Sequence, residues 1–221
     1  LSNVTNHPAD DIGPSWAADG DRIIFASDRD GEFRIDPETG ITIPIFYEYV
    51  MNADGSGLER LPWIGSEPDC SKDDRVVYER AISDAQGIWI CIAVNDLMGS
   101  EERILTCDGM SPKWSPDGQQ IAFIRYPNGL HNPPGQLWTM RADGSEEKLL
   151  LESPLKIRPV SWSPDGMEIA FAGDSDIVVV KVADGQIRRV KAGPFRRCTS
   201  WSPDGKWLAC ECRLDICAVH G

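Results

Sequence analysis

Short runs of alternating apolar and polar residues fill this chain, and tight turns separate them. Residues 107–151 show the pattern most clearly. Ser111–Trp114 reads as a short strand tipped by an indole. Ser115-Pro116-Asp117-Gly118 reads as a turn: proline presets one φ, and Asp-Gly supplies the positive φ of a hairpin reversal. Gln119–Tyr126 follows as a second strand carrying Ile121 and Phe123. A looser loop, Pro127–Gly135, leads to a third strand, Gln136–Arg141. Ala142–Ser145 turns the chain again, and Glu146–Leu151 is the fourth strand. Four short strands joined by hairpins make one antiparallel meander. Residues 152–193 repeat this grammar, with strands at Val160–Ser163, Met167–Gly173, Asp176–Val182 and Gln186–Lys191.

The phrase that closes each first strand recurs five times. It is Ser-Trp-Ala-Ala-Asp-Gly ending at Gly20, Lys-Trp-Ser-Pro-Asp-Gly ending at Gly118, and Ser-Trp-Ser-Pro-Asp-Gly ending at Gly166 and again at Gly205. A worn copy, Asp-Cys-Ser-Lys-Asp-Asp, ends at Asp74. The aligned positions Trp16, Cys70, Trp114, Trp162 and Trp201 are 54, 44, 48 and 39 residues apart. A strand-filled period in the forties predicts an all-β protein, a β-propeller of four-stranded antiparallel blades. One domain over residues 1–221 is expected, with blades at about 1–62, 63–106, 107–151, 152–193 and 194–221. The worn second repeat supplies Arg75–Arg80, Gly87–Asn95 and Glu101–Thr106 as its later strands. The first repeat carries an insertion, Phe33–Pro44. The last stops after its third strand, so the chain reads as an excerpt of a larger ring or as an open ring. A four-stranded sheet has two apolar faces and hides them by stacking on its neighbours. Trp16, Trp114, Trp162 and Trp201 are therefore expected in the core between blades.

The motif Trp114-Ser-Pro-Asp-Gly118 with Ile121-Ala-Phe123, together with Ser27-Asp-Arg-Asp-Gly31, Met51-Asn-Ala-Asp-Gly-Ser-Gly57 and Leu105-Thr106, resembles the TolB-type (PD40, WD40-like) propeller repeat over nearly the whole chain. The resemblance implies a bacterial propeller, often six-bladed, with a periplasmic or extracellular home. It transfers no activity, because the motif residues are turns and core. Related repeats also form the propellers of prolyl-oligopeptidase-like peptidases.

The 221 residues carry a net charge of −13, spread over turns and loops. Nucleic acid is a poor partner for such a surface. No apolar run approaches bilayer length, so direct membrane insertion is not expected, and the longest, at Ile177–Val180, ends at Lys181. No secretory signal is visible at Leu1, but the chain begins in mid-pattern, which leaves a removed leader open. Seven cysteines cannot all pair internally, and this odd count points away from an oxidising compartment. Cys70, Cys91 and Cys210 replace apolar residues of the template, so buried free thiols are the first reading. The alternative is one or two disulfides among Cys198, Cys210, Cys212 and Cys217. A zinc site there lacks the usual Cys-x-x-Cys knuckle.

Connections alternate between the two ends of a meander. The Asp-Gly turns share one end; the second-to-third loops and inter-blade links share the other. Every long or irregular segment belongs to the second group, including Asp28–Pro44, Ala81–Gln86, Pro127–Gly135 and Glu152–Arg158. Variable loops on a rigid scaffold are where binding resides. The candidate partner-binding residues are Arg158, Arg196, Arg197, Asp10, Asp11, Asp108, Tyr126 and His131. No catalytic residue, metal or cofactor is expected. The sequence has no Gly-x-Ser-x-Gly elbow, His-Glu-x-x-His pair or P-loop. Asp28-Arg29-Asp30-Gly31-Glu32 lacks the longer acidic series of a calcium loop and reads as a turn. The leading expectation is a non-catalytic scaffold that presents these loops to a protein or cell-envelope partner. Two alternatives stay open. One is the substrate-gating propeller of a larger peptidase or other hydrolase. The other is a metal-dependent lyase or hydrolase with an axial site among Asp10, Asp11, Glu67, Asp69 and Asp108.

Overall fold

A computed structural model describes residues 3–35, 40–84, 87–129, 132–154, 156–157, 160–173, 176–192, 195–212 and 215–220, and the regular elements among them are all strands. The chain divides into two compact units, Leu1–Cys107 and Asp108–Gly221. In the first, β1 (Asp11–Trp16), β2 (Arg22–Ser27), β5 (Tyr47–Asn52) and β6 (Glu59–Arg60) form one antiparallel sheet in that order. The insertion between β2 and β5 folds on itself as a two-stranded hairpin, β3 (Phe33–Ile35) with β4 (Thr42–Pro44). A second sheet runs β7 (Ser66–Cys70), β8 (Arg75–Asp84), β9 (Gly87–Asp96) and β10 (Arg103–Cys107). Strand β8 continues through Ala81 to Asp84, where the sequence predicts a loop, because the ladder with β9 extends unbroken from Arg75↔Asp96 to Asp84↔Gly87.

The second unit holds two more four-stranded sheets. One is β11 (Met110–Trp114), β12 (Gln120–Arg125), β13 (Gly135–Arg141) and β14 (Lys148–Ser153). The other is β15 (Ser161–Trp162), β16 (Glu168–Ala172), β17 (Asp176–Lys181) and β18 (Ile187–Ala192). A three-stranded sheet follows, β19 (Phe195–Trp201), β20 (Trp207–Cys212) and β21 (Asp215–His220).

The repeated turns share one side-chain latch. In the third repeat the Ser115 hydroxyl donates to Asp117 (2.6 Å) and accepts from the Gln120 amide (2.9 Å), while Asp117 accepts from the Gln119 amide (3.0 Å). Ser163 with Asp165 and Ser202 with Asp204 repeat it at the same 2.6 Å. The worn copy keeps the latch as Ser71 to Asp73 at 2.7 Å. Its last residue, Asp74, takes the left-handed backbone usually left to glycine, with φ 58°. The Asp74 carboxylate accepts the Ala18 amide (3.1 Å), a bond from the second repeat's turn to the first's that glycine could not make.

Between the sheets of the second unit, Trp162 and Trp201 share one arrangement. Trp162 Nε1 donates to the carbonyl of Lys113 (3.0 Å), and Trp201 Nε1 donates to the carbonyl of Ser161 (3.2 Å). Each acceptor is the residue just before the preceding repeat's own Trp. The indole thus buries its apolar body between two sheets while its N–H finds a partner on the earlier one. Trp162 packs there with Ile124, Leu137, Ile169 and Phe171, and Trp201 with Ala170, Val179, Leu208 and Cys210.

Two expectations are corrected here. Trp16 is 57% exposed and not a core residue. Cys91 is not a free thiol. It sits directly across from Cys107 in the β9–β10 ladder, and the two form a disulfide. Cys70 is partly buried and Cys210 is buried. The other cysteines proposed for pairing, Cys198, Cys212 and Cys217, have side chains outside the described set. Where Cys70 replaces the repeat's tryptophan, Trp63 supplies the missing indole. It stacks on Tyr78 with ring centroids 4.3 Å apart, within the core of Ile24, Val50, Leu61 and Val76 that joins the first two sheets.

Trp162→Ala and Trp201→Ala should each cost about 3–5 kcal/mol in urea unfolding, by the loss of a buried aromatic. Trp16→Ala should cost less than about 1 kcal/mol, as a surface change does; equal losses would contradict the exposure of Trp16. Converting Cys91 and Cys107 to Ala and Ser should remove about 3 kcal/mol, the value for a loop near this length, and a reductant should do the same to the parent chain.

Candidate functional site

The loop that follows β2 is the most built part of the first unit. Its backbone closes as a turn, with the Gly31 amide donating to the Asp28 carbonyl (2.9 Å). The Arg29 side chain folds back over the sheet. Its guanidinium lies 5.0 Å from the centre of the Phe25 ring and 4.8 Å from that of Tyr49, two rings directly opposed in the β2–β5 ladder. Nε donates to the Ser27 hydroxyl (2.9 Å) and Nη2 to Asp11 (2.9 Å). Burial opposes the Asp11 charge, but hydrogen bonds from Ser27, Thr5 and Arg29, with the guanidinium's own charge, hold its carboxyl below the usual carboxylate range.

A second arginine works beside the first. Arg60 lies 3.6 Å over the Tyr47 ring and pairs with Asp30 (2.5 Å), and the Tyr49 hydroxyl donates to the same carboxylate (2.6 Å). Burial, and then that bond to Asp30, push the Tyr49 hydroxyl up to about 12. Tyr47 donates to Glu32. Asp28 accepts the Asp10 amide (3.0 Å). The acidic side chains of Asp28–Glu32 are thus engaged by protein donors, and the segment is an arginine-clamped turn. Among the described residues no group of three or more His, Cys, Asp and Glu side chains is placed to hold a metal ion.

This clamped turn carries the β3–β4 hairpin, on which Phe33, Ile35 and Ile41 are each about 60% exposed. The sequence reading marks this stretch as an insertion and as part of a variable loop, Asp28–Pro44, and reads no strand in it. The signal was the spacing Phe33-x-Ile35 and Ile41-x-Ile43, which is strand alternation in a segment with no template strand.

Of the predicted binding residues, Asp10 and Asp11 fall together in this network. Asp10 lies in the segment before β1, and Asp11 opens the strand. In the second unit, Tyr126 is partly buried against the Trp162 core and donates its hydroxyl to the Ile157 carbonyl, so it anchors the link after β14. Asp108 is exposed between β10 and β11 with φ 63°. Arg196 and Arg197 lie within β19 and not on a link, because the ladder with β20 begins at Phe195↔Cys212. Arg158 and His131 lie outside the described residues. Missed by sequence reasoning were Arg60, Tyr47, Tyr49 and Glu48. Glu48 is wholly buried on β5, on the strand face opposite Tyr47 and Tyr49.

Residues 1–164 match the family described as TolB beta propeller domain. The chain belongs to the TolB β-propeller family. Its four four-stranded antiparallel sheets are blades of that propeller. The TolB-type fold is repeated in solved structures. TolB from Acinetobacter baumannii superposes with a TM-score of 0.64 at 20% identity, covering 90% of this chain and 49% of that one. The present chain thus spans about half the length of that relative. A putative TolB from Agrobacterium tumefaciens gives 0.75 at 17% identity, covering 97% and 78%. The β-propeller domain of the Trilobed protease from Pyrococcus furiosus, described as having an open velcro topology, gives 0.62 at 14% identity, covering 91% and 63%. Comparison with curated proteins returns no match.

Arg29→Ala in this TolB-family chain should cost about 3 kcal/mol, because it strands the partly buried Asp11 carboxylate. Arg60→Ala, at a more exposed pair, should cost no more than about 1 kcal/mol. Thermal and urea unfolding of the two variants side by side would expose an error if the order were reversed.

Proposed function

We propose that the chain is a non-catalytic binding scaffold that presents its second-to-third loops and inter-blade links to a protein or cell-envelope partner. One observation carries this reading: a turn clamped by two arginines holds out a hairpin with three exposed apolar side chains, Phe33, Ile35 and Ile41. Apolar side chains held in water by a stiff support are the usual form of a contact site. The scaffold gives rigidity, so binding costs little loop ordering. The partner is a protein, with neither nucleic acid nor inserted lipid required. Of the candidate residues, Asp10 and Asp11 stand beside this turn in the first unit and contribute the polar part of its contact; Arg158, Arg196, Arg197, Asp108, Tyr126 and His131 belong to the second unit. The three-stranded sheet β19–β21 is an incomplete fifth blade, as its packing on the fourth through Trp201 supports.

The reading places the protein in the periplasm or outside the cell. A disulfide between Cys91 and Cys107 favours an oxidising compartment, which outweighs the odd cysteine count.

The test is capture from an envelope extract by immobilised protein. Phe33→Asp with Ile35→Asp should weaken capture about 30-fold, the effect of losing a contact worth about 2 kcal/mol. Replacing Arg158, Arg196 and Arg197 with Ala should weaken it less. Undiminished capture by both variants, with unfolding midpoints like the parent's, would reject the scaffold role of these loops.

A further inference from the structure

Glu48 is the one fully buried carboxylate among the described residues, and neither of its oxygens has a hydrogen-bond partner there. A bare carboxylate in such a place is costly to ionise. Its position says what it controls. Glu48 is opposite Ala26 in the β2–β5 ladder, on the strand face that also presents Ile24 and Val50 to the second blade. It therefore lies in the seam between the first two blades.

The other wall of this seam is β7. There the chain passes through Glu67 in a left-handed conformation (φ 52°) and presses against β1. A Cβ on Gly13 would lie 3.3 Å from Pro68 and 3.4 Å from the Glu67 backbone. Glu67 is the charged group whose field reaches Glu48. The neighbouring charges are engaged elsewhere. Glu79 accepts from Ser66, Arg80 reaches the Ile64 carbonyl and Glu102, and Arg29 with Asp11 lies over the Phe25–Tyr49 face, away from the seam. β2 opposes Glu48 with an alanine, and the Leu61 amide takes only its main-chain carbonyl.

We infer that Glu48 is a proton-operated latch on the seam between the first and second blades, closed when the carboxyl is protonated and loosened when it ionises beneath the β7 link. Burial, and then the charge of Glu67, raise its pKa to about 8. The folded chain therefore keeps a proton that the unfolded chain has already released. The latch's contribution to stability is complete below the ordinary glutamate value of 4.5, is lost as pH climbs towards about 8, and changes no further above that. A mildly acidic medium closes the seam and an alkaline one opens it. The inference is independent of any partner.

Hydrogen exchange of Ser66–Cys70 and Tyr47–Asn52 tests the latch, measured between about pH 6 and about pH 9 and corrected for the intrinsic rate. In the parent chain protection should drop by up to roughly a hundredfold across this range, and in Glu48→Gln, which mimics the protonated form, it should stay flat. Glu67→Gln should move the end of the drop to lower pH, since removing the neighbouring charge eases ionisation; Glu67 is only partly buried, so this variant serves even if Glu48→Gln does not fold. Flat protection in the parent, an equal drop in Glu48→Gln, or an unmoved drop in Glu67→Gln would each overturn the inference. So would a pH response that a chelator abolishes, because Glu48 would then be holding a cation and not a proton.

Discussion

The seam between consecutive blades is the interaction on which the rest depends. A four-stranded sheet of this size has two apolar faces and no means of covering either alone. In the fourth and fifth sheets the repeat solves this with one large side chain each, Trp162 and Trp201, whose ring fills the gap and whose N–H ties it to the main chain of the sheet before. Because the acceptor is a backbone carbonyl at a fixed distance from the previous indole, the bond sets the alignment of the two sheets as well as their spacing. The second blade shows that the requirement is for the volume and not for the position. With cysteine at the template site, Trp63 enters from the preceding link and stacks on Tyr78.

Stiff seams free the loops for other work. The first blade spends an unusual amount of chemistry on a single turn: two guanidinium groups, two tyrosine hydroxyls and four carboxylates immobilise residues 28–32. A similar clamp recurs in the third blade, where Arg125 lies over Phe123 and Trp138 and pairs with Glu147. In both, an arginine seals the end of an aromatic pair that the strand ladder brings face to face. The difference is what the turn carries, since the first blade alone of these two extends into an apolar hairpin.

Period and turn grammar made the blades legible from residues alone, because strand alternation, Pro-Asp-Gly chemistry and indole spacing are all local signals. What escaped is what depends on neighbours. Trp16 matches the template as well as Trp162 does, yet a template cannot say whether a second sheet stands in front of it. The Cys91–Cys107 bridge follows from cross-strand register, and the sequence places a thiol at each site without revealing that they oppose one another. Arg29 and Arg60 are two basic residues in an acidic loop until the ladder brings Tyr47, Tyr49 and Phe25 beneath them. Glu48 looks like an ordinary polar member of an alternating strand, and only the inward turn of its face shows otherwise.

The bridge between Cys91 and Cys107 has a mechanical consequence. Strand β10 is the outermost member of its sheet, with one neighbour instead of two, and its ladder slips register between Ile104 and Thr106. Such a border would normally be the first to peel away and offer raw main chain to a passing strand. Stitched covalently to the buried thread beside it, it cannot lift without taking the interior along, so the blade's weakest margin is hemmed against fraying and unwanted strand exchange.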